Sequence, residues 1–148
     1  MKKKKRWITY GSFALILVAV YFINVEVQTY LGNKALKATG LENIEINAAM
    51  DQARDQSKYV LANVSAIWCP SCRTLDREVF SDEAVQREIR ERFVFSRIEY
   101  ESEEGQRFMA QYALTGFPNL LVIDPDGKLI KQLPVTSDPE RFRSELPR

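Results

Sequence analysis

Two cysteines, the only two in the chain, stand three positions apart in Trp68-Cys69-Pro70-Ser71-Cys72. Their surroundings limit the fold more than any other stretch does. Upstream, Tyr59 to Ile67 is a mostly apolar run, the mark of a central strand covered on both faces. Downstream, Arg73 to Phe80 reads as a helix, with Cys72, Leu75 and Val79 on one stripe and Arg73, Arg77 and Glu78 off it. The pair therefore sits at a strand-to-helix junction. Pro70 suits the first helical position, where its missing N–H costs nothing. Cys69 falls at the first turn, where unpaired N–H groups and the helix dipole lower a thiol pKa from about 8.5 to roughly 3.5–7.5. Cys72 lies one turn further in. Because a thiolate attacks disulfides and a thiol does not, Cys69 is the expected nucleophile and Cys72 the resolving cysteine. The competing reading is a merely stabilising disulfide, but so short a loop cross-links no distant segments.

Composition removes most other chemistries. Histidine is absent, which excludes Ser-His and Cys-His nucleophile pairs, imidazole metal ligands and imidazole bases. Two cysteines fall short of the four N/S ligands of structural zinc, so neither a metal nor a cofactor beyond the Cys69-Cys72 disulfide is expected. From Gln28 onward there are 16 Lys/Arg against 19 Asp/Glu. That balance offers no basic face for nucleic acid.

The amino terminus is a different kind of chain. Residues 1–6 hold five cations and no acid, and Trp7 to Val25 are 19 residues without a charge. As a helix they span about 28 Å, close to the thickness of a bilayer's hydrocarbon. Trp7 and Tyr10 are expected near one interface, and the cations place the amino terminus in the cytoplasm. A cleaved signal peptide would share the charged start, yet Val20-Tyr21-Phe22-Ile23-Asn24 offers no small-residue cleavage site. The division expected is a basic tail over 1–6, a signal anchor over 7–27, a stalk over 28–44 with little to bury, and a folded domain over 45–148.

Within the outer part, Leu41 to Ile46 alternates like a short edge strand, and Asn47 is placed to cap a helix reaching Lys58. Ser81 caps a helix over Asp82 to Arg92. Phe93 to Ile98 reads as a strand, and Glu103 to Tyr112 as a helix with Phe108, Met109 and Tyr112 inward. Strands Asn119 to Ile123 and Lys128 to Leu133 flank the turn Asp124-Pro125-Asp126-Gly127, and Pro139 to Leu146 closes as a helix. The class is α/β, a sheet with helices on both faces, preceded by one transmembrane helix.

Asn63-Val64-Ser65-Ala66-Ile67-Trp68-Cys69-Pro70-Ser71-Cys72 resembles the strand and active-site loop of the thioredoxin superfamily. Thr115-Gly116-Phe117-Pro118-Asn119-Leu120-Leu121 resembles that family's cis-proline loop. Phe80-Ser81-Asp82-Glu83-Ala84-Val85-Gln86 is similar to the periplasmic thioredoxin-like domain of DsbD-type transmembrane thiol reductases. The resemblance implies a thioredoxin fold with a central mixed sheet, a cis Pro118 facing the dithiol, and a Phe117 backbone that pairs with substrate beside Trp68. It also implies disulfide exchange with exported proteins or a membrane redox carrier, from a single-pass protein of a bacterial inner membrane whose domain lies in the periplasm. Reduction is the favoured direction. A non-catalytic client-binding factor, an oxidase and an isomerase remain as alternatives, and a copper chaperone lacks its histidine.

The chain departs from the family in places. Asn63 stands where many thioredoxins carry a buried acid that takes the proton of the second cysteine. Asp76, one turn after Cys72, reads first as an exposed helical acid and second as a substitute base. Arg97 reads equally as a surface salt bridge or a thiolate partner. Pro134 replaces a frequent glycine, and Pro-Ser between the cysteines sets the loop apart from the Gly-Pro of thioredoxin itself.

Overall fold

The computed structural model describes the backbone of residues 2–147 and the side chains of 12–147. The chain opens with one long helix, α1 (Lys2–Ala38), followed by α2 (Ile46–Gln56), β1 (Tyr59–Ser65) and α3 (Pro70–Leu75). A π-helical turn over Asp76–Phe80 leads to α4 (Glu83–Arg92), β2 (Phe93–Glu99) and α5 (Glu103–Gln111). Then come β3 (Asn119–Ile123), β4 (Leu129–Leu133) and α6 (Pro139–Glu145). The strands form one mixed sheet in the order β2-β1-β3-β4, with β1 parallel to β2 and antiparallel to β3. β1 lies inside the sheet, which explains its near-continuous apolar run.

Helices cover both faces. Leu61, Phe93, Phe95, Leu120 and Val122 meet Leu75, Val79, Phe80, Ile89 and Phe142 on one side, so α3, the π turn, α4 and α6 lie there. On the other, Val60, Val64, Val94, Ile98 and Leu121 meet Ala49, Ala53, Phe108 and Met109 of α2 and α5. The turn joining β3 to β4 closes as expected: Asp124 Oδ1 accepts from the N–H groups of Asp126 and Lys128, and Gly127 takes φ +81°.

Four local expectations are corrected. Leu41 to Ile46 forms no strand, because it meets β2 through a single backbone bond from Ile44 N–H to Phe95 C=O. The Asn43 side chain takes the next ladder position by accepting from Arg97 N–H at 2.7 Å. The cap of α2 is Glu45, whose carboxylate accepts from Ala48 N–H, while Asn47 lies inside the helix and donates to Glu45. The cap of α4 is Asp82, accepting from Ala84 and Val85 N–H at 2.9 and 3.0 Å, whereas Ser81 turns its hydroxyl back to Arg77 C=O. The helix after the cysteines is not α-helical throughout; its second half is the π turn.

The largest difference lies in α1. A window within Ser12–Ala38 has mean hydropathy 1.7, long and apolar enough to cross a membrane by length and composition. The helix does not give way to an open stalk at Gln28. It continues to Ala38, burying Ala35 and, just past its end, Thr39 against the domain, and Arg73 in the last turn of α3 donates to Gln28 Oε1 at 2.5 Å. The expected interfacial placement of Trp7 and Tyr10 falls on side chains outside those described.

Candidate active site

β1 delivers the chain to the dithiol. Past Ser65, Cys69 N–H donates to Ala66 C=O at 3.0 Å, and this turn places Cys69 as the N-cap of α3. Pro70 occupies the first turn, where no backbone donor is required. Cys69 and Cys72 are joined as a disulfide with Cα atoms 5.3 Å apart. Cys69 Sγ accepts from Cys72 N–H at 3.1 Å and lies 3.2 Å from Ser71 Oγ. A sulfur so placed meets the N–H groups of a helix N-terminus and a hydroxyl, both of which favour negative charge on it. Both sulfurs are buried, packed with Ala66, Tyr100 and Phe117.

The second motif arrives from β3. The Phe117–Pro118 peptide is cis, immediately before Asn119 opens that strand. Phe117 packs edge-on against Trp68 with ring centroids 5.4 Å apart, and lies 4.6 Å from the Tyr100 ring. Trp68 remains 40% exposed, an apolar surface beside a buried disulfide.

On the α3 side of the sheet lies a buried polar group of residues. Asn63 and Arg97 are register partners on the parallel strands β1 and β2. Arg97 Nη1 donates to Asp76 Oδ2 at 2.7 Å, and the two side chains are 5% and 1% exposed. Asp76 is therefore not an exposed acid, and Arg97 makes no surface salt bridge. Asp76 lies one turn after Cys72, on the buried stripe it shares with Leu75 and Val79, so both readings that placed these groups in solvent are overturned. Burial pushes the Asp76 carboxyl above its ordinary range, and Arg97 offsets this only in part. Among the described residues, Asp76 Oδ1 and both polar atoms of the Asn63 side chain have no hydrogen-bond partner.

Sequence reasoning passed over contributors in three places. Ser71 was legible, since it lies between the cysteines. Tyr100 and Glu99 were not, because only the pairing of β1 with β2 brings them to the loop. Glu99 accepts from Ile67 N–H at 3.3 Å, and burial raises its carboxyl above the ordinary range. Gly32 of α1 is the third: a Cβ there would come within 2.0 Å of Ile67 C=O. A glycine inside an otherwise helical stretch was its only signal.

The family profile described as a thioredoxin-like domain matches residues 46–148. The chain belongs to the thioredoxin-like family. Among curated relatives, UBX domain-containing protein 5 of Saccharomyces cerevisiae is 31% identical over 72% of this chain and 22% of its own length. The thiol:disulfide interchange protein DsbD of Pseudomonas fluorescens is 28% identical over 64% of this chain and 16% of its own. The chain thus spans about a fifth or less of these relatives. Among solved structures, the oxidised C-terminal domain of Neisseria meningitidis DsbD superposes with TM-score 0.57 at 25% identity, covering 67% of this chain and 88% of that one. Within the thioredoxin-like family, then, this chain pairs an intact Cys-x-x-Cys disulfide with an amino-terminal helix that the family profile leaves out.

Proposed function

We propose that this chain is a protein thiol–disulfide oxidoreductase, anchored by α1 in a bacterial inner membrane with residues 28–148 in the periplasm, and acting as a reductase. The observation that carries the reading is the Cys69–Cys72 disulfide at the N-terminus of α3, in a thioredoxin-like fold whose second motif holds a cis Phe117–Pro118 bond. The likeness to DsbD proteins, named for thiol:disulfide interchange, supports the reaction class. The hydropathy of α1 supports the anchor.

In the reduced form, the Cys69 thiolate attacks one sulfur of a client disulfide. That S–S bond breaks, a Cys69–client bond forms, and the other client sulfur leaves as a thiolate. Cys72 then attacks Cys69 Sγ, releases the second client sulfur and forms the Cys69–Cys72 bond. The client gains the two electrons and two protons that the dithiol loses, so no bound cofactor takes part. Cys72 must lose its proton during resolution, and Asp76 is the buried carboxyl one helical turn away. Pro118 and the Phe117 backbone shape the groove for an extended client, with Trp68 as its apolar wall. A second protein dithiol, carried by a membrane redox partner, resets the pair.

A Cys72→Ala form should accumulate mixed disulfides through Cys69, and Cys69→Ser should accumulate none. Non-reducing gels of the full chain expressed in membranes read this directly. Equal trapping by both forms would sink the assignment of roles. The midpoint potential then tests direction: a value near thioredoxin's, about −270 mV, supports reduction, and one near DsbA's, about −120 mV, overturns it.

A further inference from the structure

The domain is not hung loosely from α1. The uncharged stretch ends at Val25, Glu26 is the first charge, and the helix continues without a break to Ala38. Going outward along that helix, Gln28 meets Arg73, the residue of α3 that directly follows Cys72. Gly32 follows, its Cα so close to Ile67 C=O that no side chain fits between them. Gly40, just past the helix, reaches Arg90 at the far end of α4, whose guanidinium donates to its C=O at 3.0 Å.

This order fixes the orientation of the domain. The contacts nearest the apolar stretch belong to the loop and helix that bear the dithiol, and those furthest from it belong to the opposite pole. At 1.5 Å per residue, Gln28 stands about 5 Å and Gly32 about 10 Å beyond Val25. The headgroup layer on each side of a bilayer is about 5–8 Å deep. Tyr30, in the same interval, is exposed on α1, the placement favoured for an interfacial aromatic.

Taking α1 as a membrane anchor and the dithiol as exchanging, we propose that the client is a membrane-inserted protein whose cysteines lie at the bilayer surface, within a turn or two of its own span. Rigid docking holds Cys69 at that height and holds it away from disulfides further out. Two proteins confined to one membrane at matched height meet at a high effective concentration, which a height mismatch removes. The exchange is the one written above, with the membrane-inserted client as the oxidant that takes the two electrons.

The test reconstitutes the full, reduced chain in phosphatidylglycerol/phosphatidylcholine vesicles with a single-span reporter bearing a cysteine-pair disulfide. The pair is set directly after the span, or raised about 15 or 30 Å on a helical spacer, or released as a soluble protein. Reduction of the surface-level reporter should be about tenfold or more faster than of the raised and soluble ones. A polar seven-residue helical insertion after Val27 keeps the docking face in register and should move the preferred height outward by about 10 Å. Equal rates at every height overturn the restriction and leave thiol exchange standing. A preference for the soluble form, or an unmoved optimum after the insertion, also overturns it. No exchange with any reporter, alongside failure to reduce a small disulfide, overturns the proposed function itself.

Discussion

On the α3 side of the sheet, a carboxylate and a guanidinium share a space almost closed to water. Such a pair is costly to desolvate, and losing one partner strands the other charge. Replacing Arg97 by Met should cost about 3–5 kcal/mol, while Asp76→Leu with Arg97→Met together should cost markedly less than the separate changes summed. Urea unfolding of the four forms reads the coupling; purely additive costs would rule out the pair as a unit. Asp76 also gives stability a sign with pH. Its native pKa is raised above the ordinary 3.8, so the folded chain holds this proton more tightly than the unfolded chain. Its contribution is full below that ordinary value and is lost as pH rises through the native one. Asp76→Asn should flatten this decline and slow resolution of the mixed disulfide by about tenfold or more. A resolution rate and pH profile identical to those of the unaltered chain would remove Asp76 from the proton path.

At the scale of elements, caps decide where helices begin. Asp82 satisfies two first-turn donors of α4, whereas Ser81 has turned away to Arg77. Asp82→Ala should therefore cost about 1 kcal/mol and Ser81→Ala much less, measured by urea midpoints at constant slope. The reverse order would assign the cap to Ser81 after all. The near miss illustrates what the chain alone makes legible. Alternation and apolar runs placed β1, β2, β3 and β4 within a residue or two, since burial writes directly into pattern. The cysteines, their proline and the Gly-Phe-Pro loop were readable because their chemistry is local. The choice between Ser81 and Asp82 was not, as either residue type caps well and the backbone decides. The burial of Asp76 was within reach, since it stands four residues after Cys72 on the stripe with Leu75 and Val79, but its charge and its exposed neighbours Arg77 and Glu78 argued for solvent. Arg97 appeared as one charge in an apolar strand, with a partner 21 positions away.

For the whole molecule, the question is where the folded unit begins. The family profile starts at residue 46, the first residue of α2 and one residue from the domain start expected at 45, and by that measure α1 is an appendage. The contacts argue for a longer unit. Ala35 and Thr39 are buried, Gly32 touches the active-site loop, and Gln28 bonds Arg73. The outer third of α1 thus serves the domain, while the apolar part before it is long and apolar enough to cross a bilayer by length and composition. A soluble fragment of residues 26–148 should keep this packing, and one of residues 46–148 should lose it. Burial of a few small side chains predicts a difference of about 1–3 kcal/mol in favour of the longer fragment. Gly32→Leu in the longer fragment should lower its stability toward that of the shorter, because the added side chain must push α1 off Ile67. Equal unfolding midpoints for all three would mean that α1 does not dock in solution, and the dithiol would then be free to move relative to the apolar part of that helix.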